Sequence, residues 1–222
     1  MAEVVVVIAG GDEPSSDTYA RLPDVSRVIC ADKGLDYALR QGLHVDICVG
    51  DFDSVDEDML ANAEAAGIEL RRHKHDKDQT DLELALFAAL ESDPAEIIVI
   101  GVGGGRLDHF FGNLLLLANP AFAAADINAV IDSALVSVVH RSRTLYGTIG
   151  ENVSFFAMGG DAAGVTLVGF EYPLAGATLK AFSSRGVSNE FRISEAVVSV
   201  DAGVLVAIQP ERFAGPLGAR SP

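Results

Sequence analysis

The chain has no tryptophan, only two cysteines, and 16 Lys and Arg against 32 Asp and Glu among its 222 residues. Each shortage excludes something. Cys30 and Cys48 each sit inside an apolar run, which rules against a disulfide framework or a zinc site and predicts buried, reduced thiols. The net charge of −16 excludes nucleic acid as a partner, because affinity for it rests on Lys and Arg neutralising phosphates. A phosphate compound would have to be handled through a metal ion. Long hydrophobic runs are also missing. The opening "VVVVIAGG" is too short to cross a bilayer and carries neither a basic segment before it nor a cleavage site after it, so a cytoplasmic protein with no membrane partner is expected. A hydrophobic fraction of 49% in turn excludes disorder and provides for one large core or two modest ones.

From residue 1 to about residue 142, short apolar runs alternate with amphipathic ones. Strands are expected at "EVVVVIAG", "RVICAD", "DICVGD", "IELRRHK", "EIIVIGVGG" and "INAVIDSALVSVV". Helices are expected at "GLDYALRQG", "VDEDMLANAEAAG", "TDLELALFAALES" and "LDHFFGNLLLLANP", with Phe110, Phe111 and Leu114 to Leu117 in the core. This is the pattern of an α/β fold with a mostly parallel sheet flanked by helices. After "HRSRTLYGTIGEN" the runs become short and closely spaced, with Gly and Pro between them, which predicts a smaller all-β, sandwich-like domain at 148–212 and a tail at 213–222.

In an open α/β sheet, ligands bind beyond the carboxyl ends of the strands, and the polar residues gather there. "VICAD" delivers Asp32 and "DICVGDFDS" delivers Asp51 and Asp53. On an extended strand alternate residues share a face about 6–7 Å apart. Two carboxylates so placed repel by roughly 2 kcal/mol at an effective dielectric near 20. Mg²⁺, an oxygen-seeking cation, would offset this; the plain structural alternative is an Asx-turn or helix cap formed by Asp53 or Ser54. "KDQTDLELAL" holds Thr80 and Glu83 at capping-box spacing, with Asp78 and Asp81 as first-turn acids or, for Asp81, a metal ligand. "GVGGGRLDH" supplies backbone N–H groups, Arg106 and a helix start suited to phosphates, without the spacing of a P-loop or a dinucleotide fingerprint. Read structurally, it is a tight turn with Asp108 in the first helical turn. "FSSRGVSNEF" interrupts the β pattern with hydroxyls and an amide, as an ordinary hairpin loop does.

The ordered set "AGG", "ADKG", "GDFDS", "KDQTDLELAL", "GGGRLDHFFGN", "GENVSFF", "GVTLVGFEYPL" and "SSRGVSNEF", from about residue 4 to about residue 209, resembles bacterial thiamine pyrophosphokinase. The resemblance implies transfer of a pyrophosphoryl group from ATP to the hydroxyl of thiamine, with release of AMP. It implies Mg²⁺ held with the ATP phosphates by Asp51, Asp53 and Asp81, with Asp32 beside them. Gly104, Gly105, Arg106, Asp108 and His109 would bind the nucleotide, and Tyr172, Ser184, Ser188 and Asn189 would approach thiamine. It further implies a homodimer whose sites combine the α/β domain of one subunit with the β domain of the other. Two departures stand out: Lys33 occupies a position that is Gly in many relatives, and without tryptophan any aromatic face must come from Tyr172. The rival functions are a pyrophosphokinase acting on a hydroxymethyl pterin and a non-catalytic thiamine or nucleotide sensor. The "GVTLVGFEYPL" and "SSRGVSNEF" segments argue against the first, and retention of every acidic candidate argues against the second.

Overall fold

A computed structural model describes residues 3–52, 57–73 and 78–213, with the backbone alone given for 57–59. The chain forms two compact units, Met1–Asn113 and Leu114–Pro222.

In the first unit the β-branched runs become β1 (Val4–Ile8), β2 (Arg27–Ala31), β3 (Ile47–Gly50), β4 (Glu69–Arg72) and β5 (Glu96–Ile100). They pair in parallel in the order β4-β3-β2-β1-β5. Val5 to Ile8, Ile29, Cys30, Cys48, Ile97 and Ile100 are fully buried. A sheet covered on both faces has no solvent side, so these strands read as unbroken apolar runs. The outer strand β4 breaks the rule, being mostly polar and exposed. Arg71 on it is tied to Glu91 (2.6 Å) and Glu69 (2.8 Å), and a charged edge deters pairing with another chain.

The helices are α1 (Ser16–Ala20), α2 (Gly34–Arg40), α3 (Glu57–Ala65), α4 (Asp81–Leu90) and α5 (Leu107–Leu117). Helix α4 buries Leu82, Ala85, Leu86 and Ala89, the i, i+3, i+4, i+7 stripe of a helix laid on a sheet. Burial of a leucine such as Leu86 contributes about 2 kcal/mol. Thr80 caps it, its hydroxyl accepting from the Glu83 N–H at 3.2 Å. The short α1 has no apolar period and was not expected; Ser15 caps it through the Thr18 N–H. The expected core on α5 is corrected in part. Leu117 is buried, but Phe111 and Leu115, with Leu107 on the same face, are exposed. An apolar stripe shows which residues share a face, not what covers it.

In the second unit a 3-10 turn (Pro120–Phe122) precedes β6 (Asp126–Ile131), β7 (Ala134–Val139), β8 (Ser142–Tyr146), β9 (Asn152–Val168), β10 (Leu174–Leu179), β11 (Asn189–Glu190), β12 (Glu195–Ser199) and β13 (Ala202–Gln209). The order is β6-β7-β13-β9-β12-β8, with β10 and β11 also on β9, and the pairings are antiparallel. The run "INAVIDSALVSVV", expected as one strand, is a hairpin that turns at Asp132, whose φ of 52° is a left-handed value that Asp tolerates better than most residues. The runs "ENVSFF" and "GVTLV" prove to be one long strand, β9. The boundary stretch "HRSRTLYGTIGEN" contains β8, where Arg143 donates to the carbonyls of Ile127 (2.9 Å) and Val138 (3.0 Å). The core gathers around Phe155, Phe170 and Phe191, with ring centroids 5.1 Å apart in both contacts.

Candidate active site

The sheet order reverses direction between β1 and β5, the switch point outside whose carboxyl strand ends open α/β sheets bind their ligands. The loops that leave both strands are glycine-rich. They remain zipped past the strands, with Gly11 N–H donating to the Gly101 carbonyl at 2.8 Å and Asp12 N–H to the Gly103 carbonyl at 2.9 Å. The phenol of Tyr37 on α2 donates to the Gly11 carbonyl at 2.9 Å and pins the β1 loop from the other side. Gly104 has φ 75°, and a Cβ there would run into the Asp12 carboxylate; only glycine suits both the backbone and the space. Asp12 and Tyr37 are participants that the sequence reading missed. A lone acid after "AGG" and a tyrosine on an amphipathic helix carry no signal until the loops are brought together.

The carboxylates stand on the neighbouring strand ends. Asp32 follows β2 with φ 52°, its N–H donating to the Val49 carbonyl at 3.0 Å. Its side chain lies over Gly50, where a Cβ would come within 2.7 Å of Oδ1. Asp51 follows β3, and Asp81 opens α4. Buried Cys48, on β3, lies in the negative field of two of them and of Asp36. Its thiol is pushed up to about 12, first by burial and then by the negative fields of Asp32, Asp36 and Asp81. Asp36, in the first turn of α2, was also missed; its Oδ1 is buried with no hydrogen-bond partner among the described residues. Cys30 and Cys48 are free and buried, as expected.

The extended strand expected to run through Asp51 stops short of it. Strand β3 ends at Gly50, and Phe52 has φ 59°, so the backbone has left the extended form before Asp53. Phe52 itself turns inward, with the Arg72 guanidinium 5.3 Å from its ring centroid. Asp53 and Ser54 lie outside the described residues, and Asp78, expected beside Asp81 on the helix start, precedes the helix and is exposed.

Among the described residues no three His, Cys, Asp or Glu side chains are grouped closely enough to cage a metal ion. The donors present are hard oxygens on Asp32, Asp51 and Asp81. That set fits Mg²⁺ in its usual mode, with one or two protein carboxylates and the remaining positions filled by phosphate oxygens and water. Arg106 is engaged in a fork with Asp108, at 2.6 Å and 3.2 Å, which holds the Asp108 carboxyl down to about 2. Gly105 (φ 62°) and His109 are exposed next to them.

In the second unit, Tyr172 and Asn189 meet in a pocket of about 290 Å³ completed by Leu167, Leu174, Arg185, Gly186 and Val187. Tyr172 is 63% exposed and Asn189 is 4% exposed. Ser184 and Ser188 are exposed on the turn that carries Gly186, and Ser188, with φ 57°, donates its N–H to Ser154 Oγ at 3.1 Å.

A parallel α/β sheet with acidic residues beyond its strand ends and glycine loops at its switch point, followed by a β-rich unit with a polar pocket, defines a two-part α/β protein with a candidate ligand site in each part. Residues 21–131 match the family model "Thiamin pyrophosphokinase, catalytic domain" and residues 139–205 match "Thiamin pyrophosphokinase, vitamin B1 binding domain". The chain belongs to the thiamine pyrophosphokinase family. It is 31% identical over 211 residues to the thiamine pyrophosphokinase of Bacillus subtilis, covering 93% of this chain and 98% of that one. Among solved structures, the B. subtilis thiamine pyrophosphokinase superposes with a TM-score of 0.79 at 30% identity, covering 93% of this chain and 98% of that one. The thiamin pyrophosphokinase from Geobacillus thermodenitrificans gives 0.77 at 28% identity, covering 93% and 96%. The yeast enzyme, at 13% identity and a TM-score of 0.72 over 94% of this chain and 86% of that one, shares the fold.

Proposed function

We propose that the chain transfers the β,γ-pyrophosphoryl group of ATP to the hydroxyl of thiamine, yielding thiamine diphosphate and AMP, as a cytoplasmic homodimer with shared active sites. The observation that carries the reading is the placing of Asp32 after β2, Asp51 after β3 and Asp81 at the start of α4, with the zipped glycine loops of β1 and β5 at the point where the sheet order reverses. In this reading residues 1–142 hold the nucleotide and metal, residues 148–212 hold thiamine, and 213–222 form a tail, of which 214–222 lie outside the described residues.

Asp51, Asp53 and Asp81 would hold Mg²⁺, with Asp32 adjoining. When bound, Mg²⁺ neutralises phosphate oxygens and holds them in line for displacement. The chain's own groups do the rest. Gly104 and Gly105 present backbone N–H groups to phosphate oxygens; Arg106 supplies a planar fork for an anion once it exchanges Asp108 for a phosphate, and Asp108 and His109 border the nucleotide. An aspartate at the hydroxyl, Asp81 or Asp32, accepts its proton as oxygen attacks the β-phosphorus and AMP departs. Positioning dominates such chemistry, so no strong base is needed. Tyr172, Ser184, Ser188 and Asn189 form the thiamine side, and the acidic strand ends attract the cationic thiazolium. Incubation with ATP, Mg²⁺ and thiamine should release AMP, and the Asp53→Ala variant should fold but release none. An inactive native chain that still binds thiamine would point instead to a sensor.

A further inference from the structure

The Tyr172 segment is held against the strand behind it by a ladder of unusual make-up. Phe170 bridges Phe191, and the Glu171 N–H donates to the Glu190 carbonyl at 2.9 Å. The next rung would need backbone groups of Asn189, but Asn189 pairs instead with Val153 on β9. Its side chain makes the rung. Oδ1 accepts from the Tyr172 N–H at 2.9 Å, and Nδ2 donates to the Tyr172 carbonyl at 2.9 Å. Oδ1 also accepts from the Glu190 N–H at 2.9 Å. An amide oxygen has two lone pairs, so this one has no capacity left for a ligand. The residue is buried while the tyrosine it grips is largely exposed.

We propose that Asn189 is a positioning residue: its amide fixes both backbone groups of Tyr172, aims the exposed phenol ring across the pocket, and acts on thiamine through that ring. This rests on the assignment of thiamine to the Tyr172 pocket. No other side chain type does the same work at this size. Aspartate would turn a carboxylate oxygen toward the Tyr172 carbonyl and bury a charge, and serine could replace one of the two bonds.

The test compares Asn189→Ala, Asn189→Ser, Tyr172→Ala and the Asn189→Ala/Tyr172→Ala double variant in the full chain, by steady-state kinetics and by hydrogen exchange at the Tyr172 amide. Asn189→Ala should raise KM for thiamine about tenfold, the effect of losing roughly one net hydrogen bond's worth of alignment, with kcat and KM for ATP unchanged. Asn189→Ser should give a smaller rise in the same direction, and covers the case in which the alanine variant does not fold. Exchange at the Tyr172 amide should accelerate in both. The double variant should be no worse than Tyr172→Ala, since Asn189 has nothing left to position. Additive losses would overturn the proposal in favour of direct contact with thiamine. Parallel changes in kcat and both KM values with a lowered Tm would overturn it in favour of a structural role. Unchanged Tyr172 exchange would show that the grip does not exist. If Tyr172→Ala keeps a normal KM for thiamine, the placement of thiamine fails, and the proposal with it, whatever the exchange result.

Discussion

Gly50→Ala tests whether Asp32 acts from the position in which the structure holds it. The added methyl would lie 2.7 Å from Asp32 Oδ1 and 3.4 Å from Phe52 Cε1. The first distance is below any stable contact, so the carboxylate must retreat by about half an ångström or rotate away. The backbone at Gly50 is ordinary strand, which alanine adopts. Stiffening the unfolded chain stabilises by about 0.4–1 kcal/mol, and local crowding costs about 1–3 kcal/mol. The net loss is about 1 kcal/mol, a Tm decrease of about 2–4 °C for a chain of this size. Catalysis should suffer far more, since displacing a reacting group by up to an ångström costs about tenfold to a hundredfold. The expected result is a folded protein whose kcat for AMP release falls by that factor, with Gly160→Ala, where a Cβ meets nothing within 4 Å, as an unaffected control. A Gly50→Ala protein with normal kcat would refute the idea that the site depends on Asp32 lying over Gly50.

The other expectations are simpler. The Cys48 thiol, raised from 9.0 to about 12, stays protonated in the folded chain where an unfolded thiol ionises. Its contribution to stability is therefore complete below pH 9 and is lost as pH climbs towards 12, visible as a falling Tm. Neither Cys30 nor Cys48 should react with a thiol reagent at pH 8 until the chain unfolds. Tyr37→Phe removes the bond to the Gly11 carbonyl and should raise KM for ATP severalfold, about the effect of one hydrogen bond, while leaving KM for thiamine alone. The Asp108 carboxyl is held down at about 2 by the Arg106 fork, a local shift that keeps it ionised at pH 7 without making the pair a support of the fold. Because the pair is exposed and screened, Asp108→Asn should leave Tm at pH 7 unchanged, and a clear drop would contradict the surface character of the fork.

The sequence by itself determined the apolar strands of the first unit, the long helices, the strand-end places of Asp32 and Asp51 and the helix-start place of Asp81. Unbroken β-branched runs ending in Gly or Asp have few alternatives to buried parallel strands, and the 3.6-residue stripe of α4 has few alternatives to a helix on a sheet. Local pattern could not fix the direction of the chain after Gly50. That depends on Phe52 taking a left-handed conformation so that its ring can be buried beneath Arg72. Nor could it show that Phe111 and Leu115 lie uncovered, or that Asp12 and Tyr37 meet the glycine loops, because these follow from which strands are neighbours. The same holds for Asn189. Its sequence context shows an amide in a turn, and only the tertiary structure, by committing its backbone to β9, obliges the side chain to grip Tyr172.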